Sequence, residues 1–472
     1  MQRFDDLKDL FMKALTTQNW NDVVSYATDL LLIDDKLPWV WANRGVGLLR
    51  MGFCLDAILN FDRALALEEN ATGYNNKGAA LFNLEKMKES LDCYKKAAKI
   101  EELPETFLNI GHLHKWNLDD AAAIAAYRKT IALSQDYADG HLALSLMLLK
   151  NGQFQEGWKE YEWRWKSDQL VPRGLKKPQW RGEDLTDKKL LIYAEQGLGD
   201  IIQFARYARI VAQKFPRCKI IIEGKQAVKR LLETIPEVYA VINFGDKIPD
   251  VDYVIPMMSL AGLFSPSVNL IPAFEKEYLI RRTDVESWGS KMEPLFERNP
   301  NALRVGICWA GMARAAHPMA MRIDSLRSTA LDTFAPLAKI PNILWVSLQK
   351  GPPSSQIKTP PSGMVIGDFT EDMYDFYETC CAIANCDLVI SVDTAVLHAA
   401  ASIGVPTWLL SRWDGCWRWL GTREDSPWYP TLRQFTQPAP HDWKSMVNTV
   451  AMELSKLAKG KEQAELDLTL PS

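Results

Sequence analysis

Residues 387–410 read DLVISVDTAVLHAAASIGVPTWLL, and this stretch fixes the fold class of the second part of the chain. Leu388–Val392 is an unbroken apolar run, as a strand buried on both faces requires. Asp393 and Thr394 then open a small-residue helix through Ala395, His398 and Ala399 to Ala401, which Gly404 and Pro406 end. Residues 407–410 begin another strand. Such a unit leaves unpaired backbone N–H groups and the positive end of a helix dipole at the carboxyl edge of the sheet. That is where α/β proteins hold phosphate. Taken alone, the unit serves equally well as one more helix of a parallel sheet, capped by Thr394.

The alternation recurs along the chain. Lys189–Tyr193 reads as a strand, followed by the turn EQGLGD at 195–200 and a single helix over 201–215. Apolar strands are expected at 218–222, 240–244 and 252–255, then in a second series at 304–309, 343–348, 363–367, 388–392 and 406–410. Strands alternating with helices imply parallel, doubly wound sheets. Two series divided near 282–302 imply two Rossmann-like halves facing a cleft.

The turn Gly197-Leu198-Gly199-Asp200 lacks the third glycine of a dinucleotide fingerprint, since position 202 is Ile202. A dehydrogenase is therefore excluded. Gly197 and Gly199 instead bring backbone close to a ligand on the acceptor side, together with Gln203. Asp200 is placed to take a proton from an acceptor hydroxyl, or simply to cap its helix.

Upstream of residue 169 the pattern is different. Gly45, Phe61 and Ala64 recur 33 residues later as Gly78, Tyr94 and Ala97, and again as Gly111 and Tyr127. A further step of 34 reaches Ser145 and Tyr161, with Gly152 in phase with Gly52. Small residues let two antiparallel helices approach, and the aromatic fills the gap to the next pair. This pattern resembles the tetratricopeptide repeat, with about four copies over 38–168 and a degenerate leading one near 10–30. Such arrays form a superhelix whose concave face takes an extended peptide. The alternatives are a spacer or an oligomer contact. Asn43, Asn75, Asn76, Asn109 and Lys77 are candidates for gripping a peptide backbone.

The totals narrow the classes. A chain of 472 residues needs more than one core. A net charge of −4 offers no basic field for nucleic acid. The first fifteen residues lack the apolar core of a signal peptide, and no run of eighteen apolar residues would span a membrane. With eight cysteines in no paired framework, a cytoplasmic protein with reduced thiols is expected. The six histidines form no metal-ligand spacing, so no metal is expected.

Read together, residues 195–207 (EQGLGDIIQFARY) and 387–406 (DLVISVDTAVLHAAASIGVP) resemble tetratricopeptide-repeat proteins that carry a glycosyltransferase family 9 domain, the family of the bacterial ADP-heptose:lipopolysaccharide heptosyltransferases. Trp309-Ala310-Gly311, Arg327-Ser328, residues 347–351 (SLQKG), Trp417-Arg418-Trp419 and residues 426–430 (SPWYP) support it over about 158–437. The resemblance implies an α-helical repeat superhelix followed by an α/β GT-B module of two Rossmann-like domains. The expected division is a repeat array at 1–168, a linker at 169–188, an acceptor domain at 189–290, a donor domain at 300–450 and a tail at 451–472.

By the same resemblance, Asp200 is the general base of a metal-independent transfer from a nucleotide sugar, with no further cofactor. Asp393, Thr394, Ala395 and His398 fall on the donor motif, where Ala395 replaces the family's usual glycine. Residues 312–326 also depart from the family pattern, although His317 and Asp324 remain. On the residues themselves, Gln349 and Lys350 follow a strand and suit a developing diphosphate charge, or Lys350 is a solvated loop lysine. Gly311 is included with these phosphate-binding residues. Trp309, Trp413 and Trp417 offer flat rings to a sugar or base, and Arg412, Arg418, Arg423 and Arg433 suit phosphate. His398 either touches phosphate or is a core histidine. Three functions stay open: transfer to a protein recruited by the repeats, transfer to a glycan or lipid-linked acceptor, and a non-catalytic scaffold.

Overall fold

A computed structural model describes residues 2–167, 170–312, 318–421 and 423–469. The chain forms two compact units, residues 1–148 with 163–169, and residues 149–162 with 170–472.

The first unit is built of antiparallel helix pairs: α1 (Gln2–Thr16) with α2 (Trp20–Ile33), α3 (Pro38–Arg50) with α4 (Cys54–Leu67), α5 (Ala71–Asn83) with α6 (Met87–Ile100), and α7 (Pro104–Trp116) with α8 (Asp120–Leu133). α9 (Ala138–Lys150) follows. The spacing read from the sequence has a direct physical cause. A Cβ placed on Gly45 would come within 2.6 Å of the Phe61 ring, and one on Gly78 within 2.6 Å of Tyr94. Gly111 meets Tyr127 in the same way. The turn inside each pair carries a left-handed residue at the same phase, Gln18, Gly52, Glu85 and Leu118, and Gly152 repeats it after α9. This is a helical repeat array of tetratricopeptide type, with α1 and α2 forming the degenerate leading pair.

The second unit begins earlier than expected. α10 (Phe154–Tyr161), assigned from sequence to the last repeat, belongs to it, because the Tyr161 hydroxyl accepts from the Gln196 amide (2.6 Å) and donates to Met258 Sδ. The segment at 170–188 is likewise no free linker: the Trp180 N–H donates to the Val254 carbonyl (2.8 Å), continuing the first sheet.

That sheet is wholly parallel, in the order β3-β2-β1-β4, from β1 (Lys189–Tyr193), β2 (Lys219–Gly224), β3 (Ala240–Asn243) and β4 (Tyr253–Pro256). Its helices are α11 (Leu198–Phe204), α12 (Tyr207–Lys214), α13 (Lys229–Leu232), α14 (Ser259–Phe264) and the connecting α15 (Arg282–Phe296). The single helix expected over 201–215 is broken at 205–206. The Gln203 carbonyl, which a continuous helix would bond to the N–H of residue 207, instead accepts from Arg206 Nε at 2.7 Å. Arg206 is buried, pairs with Glu277, and donates to the Pro272 (3.0 Å) and Trp428 (2.6 Å) carbonyls.

The second sheet is also parallel, in the order β10-β9-β8-β5-β6-β7. Its strands are β5 (Leu303–Cys308), β6 (Ile343–Ser347), β7 (Ile366–Asp368), β8 (Leu388–Val392), β9 (Thr407–Ser411) and β10 (Leu432–Thr436). β10 was not expected, since LRQFT is a polar edge strand without an apolar run. The helices here are α16 (Pro318–Arg327), α17 (Ala335–Ala338), α18 (Phe376–Ile383), α19 (Ala395–Ser402) and α20 (Trp443–Thr469). Met446, Val447, Val450 and Leu454 of α20 pack into the same core as Val305, Trp345 and Leu410. The division expected at 450 therefore falls inside one helix. Among the described residues no helix is long and apolar enough to cross a membrane.

Candidate functional site

Each sheet reverses its strand order once, and a ligand crevice of a doubly wound sheet opens at that point, beyond the strand carboxyl ends. In the first sheet the reversal lies between β1 and β4, and β1 leads into Gly197–Asp200. In the second it lies between β5 and β8, which lead into Gly311 and Asp393. The two turns meet. A Cβ on Gly199 would stand 2.9 Å from His398 Cδ2 and 3.5 Å from Ala395 Cα, so only glycine allows α11 to begin this close to α19.

Asp200 sits in the first turn of α11. One carboxylate oxygen accepts the Gly197 N–H (2.9 Å), and the other pairs with Arg418 from the far half of the unit. Arg418 also donates through Nε to Gln203 Oε1 (3.1 Å) and through Nη1 to Cys416 Sγ (3.3 Å), and lies over the Trp417 ring. Gln203 is thus a buried anchor for Arg418, and not the acceptor-side contact expected of it. The Asp200 and Arg418 side chains keep 17% and 13% exposure.

Across from them, His398 Nδ1 lies 2.9 Å from the Tyr429 hydroxyl, its ring stacks on Trp419, and Nε2 stands 4.0 Å from Asp393. Burial pushes the imidazole down to about 4, against the pull of Asp393, so it is neutral near pH 7. Asp393 remains partly exposed. The Asp393 turn is braced from below: Arg327 Nη1 donates to the Asp393 carbonyl (3.0 Å), while Nε and Nη2 hold Asp324. Gly311 makes this possible, because Asp324 and Arg327 occupy the space a Cβ would need. The Gly311 N–H donates to Ser328 Oγ at 2.9 Å.

Several expected ligand contacts turn inward. The Thr394 hydroxyl bonds Ser391 Oγ (3.0 Å) and Cys308 Sγ (3.8 Å), so what faces outward at the start of α19 is backbone N–H. Gln349 is 2% exposed and spent on backbone: Oε1 accepts from Trp309 (3.1 Å) and Ala310 (2.8 Å), and Nε2 donates to the Ala310 (3.1 Å) and Lys350 (2.9 Å) carbonyls. It pins the end of β5 and offers nothing to phosphate. Lys350 reaches the Met373 carbonyl. Trp309 is fully buried in the second core, and Trp417 packs edge-on to Trp158 and beside Phe204, so neither ring is presented to a sugar. Of the three tryptophans only Trp413 is half-exposed. His317 lies outside the described residues. Sequence reasoning did not single out Tyr429 or Arg206, and treated Arg418 as one arginine among four.

No protein-family model matches the chain. A curated relative, Protein FlbA of Caulobacter vibrioides, is 25% identical over 464 residues, 89% of this chain and 67% of that protein. Among solved structures, MamA is similar at 19% identity over 36% of this chain and 98% of its own, with a TM-score of 0.30. PilW, a type IV pilus biogenesis factor, is 21% identical over 36% of this chain and 80% of its own, with a TM-score of 0.33. ADP-heptose lipopolysaccharide heptosyltransferase II of E. coli is 12% identical over 56% of this chain and 99% of its own, with a TM-score of 0.38.

Proposed function

We propose that the second unit is a metal-independent glycosyltransferase that uses a nucleotide sugar, with the repeat array recruiting a protein or peptide acceptor. The observation that carries this reading is the meeting of two turns at two switch points: Asp200 from the first sheet and the start of α19 from the second. The unbonded N–H groups of the first turn of α19 supply a seat for the donor's diphosphate. An acceptor hydroxyl lying against Asp200 gives its proton to the carboxylate as its oxygen bonds to the sugar's anomeric carbon. The bond from that carbon to the diphosphate oxygen breaks, and the nucleoside diphosphate leaves with the electron pair. Neutral His398, fixed by Tyr429 and Trp419, lies beside Asp393 without adding charge to the seat.

The acceptor side rests on Asn43, Asn76 and Asn109, which recur at one position on the first helices of successive pairs and stay half-buried. The Asn109 amide donates to Oδ1 of the buried Asn75 (3.0 Å), and the Asn43 amide to the Trp39 carbonyl of its own helix (2.8 Å). Asp200→Asn tests the chemistry. It should remove sugar transfer while nucleoside diphosphate still binds; full activity in the variant takes Asp200 out of the mechanism.

A further inference from the structure

The ion pair between Asp200 and Arg418 is at odds with a base ready to work. One Asp200 oxygen is hydrogen-bonded to Gly197 and the other is held by a guanidinium, so both oxygens are already engaged when an acceptor hydroxyl arrives. Of the Arg418 contacts, those to Gln203, Cys416 and the Trp417 ring hold the guanidinium in place, while Asp200 supplies the anion. Gln203, the buried anchor of Arg418 Nε, has an amide nitrogen with no hydrogen-bond partner among the described residues. Among the described residues, Arg327 holds Asp324 and the Asp393 carbonyl, and Lys350 reaches the Met373 carbonyl. His398 is neutral.

Resting on the reading of Asp200 as the base, we propose that Arg418 is a diphosphate-binding residue that Asp200 occupies in the free protein. An incoming diphosphate competes with Asp200 for the guanidinium, whose fork matches phosphate oxygens as well as it matches a carboxylate. Its capture by the donor unpairs Asp200, so the base becomes active only once the donor is seated. Donor therefore binds before catalysis can begin, and Asp200 weakens anion binding in the free protein.

Inorganic pyrophosphate and a nucleoside diphosphate, titrated calorimetrically into the full chain and into Asp200→Asn, Arg418→Lys, Arg418→Met and Asp200→Asn/Arg418→Met, test this. Asp200→Asn keeps the shape of the side chain, removes the competitor and should tighten pyrophosphate on the order of tenfold. Arg418→Met should lose binding, the double variant should behave like Arg418→Met, and Arg418→Lys, with its charge but no fork, should retain part of it. The proposal is overturned by Asp200→Asn binding no tighter than wild type, by unimpaired binding in Arg418→Met, or by no pyrophosphate binding to wild type and Asp200→Asn alike. Tightening by Asp200→Asn, with the wild type turning over no nucleotide sugar, would refute sugar transfer and leave the charge exchange standing. Turnover without that tightening would do the reverse.

Discussion

His398 shows how one side chain couples site and stability. In an unfolded chain an imidazole takes its proton near pH 6.5, whereas in this fold it stays neutral down to about 4. A lowered folded value means the stability it brings is complete above about pH 6.5 and is lost as pH falls through that window, about 3 kcal/mol in all. His398→Phe keeps a ring on Trp419 and removes the proton site. Chemical denaturation between pH 7 and 4 should give a correspondingly shallower decline for the variant; parallel declines would show that His398 does not titrate there. The sequence offered His398 as either a ligand or a core residue, and its geometry makes it a buried residue beside the site. The turns that carry Gly199, Asp200 and Asp393 were legible because a turn that closes a strand has a local signature. The Asp200 partner was not, since Arg418 lies 218 residues away and no spacing marks that contact. Thr394 and Gln349 were misjudged because rotamer direction, inward or outward, leaves no trace in residue type.

Helices and strands were legible wherever one period governed them. The glycine–aromatic contact between paired helices makes the 33-residue spacing a packing rule, and two glycines of one repeat separate its causes. Gly45→Ala forces a Cβ into the Phe61 ring and should cost about 1–3 kcal/mol through overpacking. Gly52→Ala meets no atom within 4 Å, but its φ of +88° penalises any side chain, by about 1 kcal/mol. Denaturant midpoints give both values, and a costless Gly45→Ala would contradict the packing rule. Where elements escaped the sequence, non-local demand was the reason. The break between α11 and α12 follows from Arg206 reaching Glu277, Pro272 and Trp428. The edge strand β10 is recognisable only once β9 is beside it.

At the scale of the whole chain, a repeat array and a module of two parallel sheets were both evident from sequence, whereas their boundary was not. The composition of α10 suits either unit, and Tyr161 joins the second through Gln196 and Met258. If the array recruits the acceptor, a fragment of residues 149–472 should bind nucleotide as the full chain does and lose transfer to a protein acceptor. Undiminished transfer by the fragment would assign the acceptor to the second unit alone. Everything proposed for the site depends on a donor seat at the start of α19, and Val396 in its first turn gives direct access to it. Val396→Asp places a carboxylate where diphosphate should sit, at a helix end that tolerates acidic residues. Calorimetric titration of ADP, UDP, GDP and TDP into wild type and this variant is the decisive measurement. Selective binding of a nucleotide by wild type, lost in Val396→Asp, is the expected result; no binding of any of the four to wild type, or equal binding by both proteins, would contradict a donor site there.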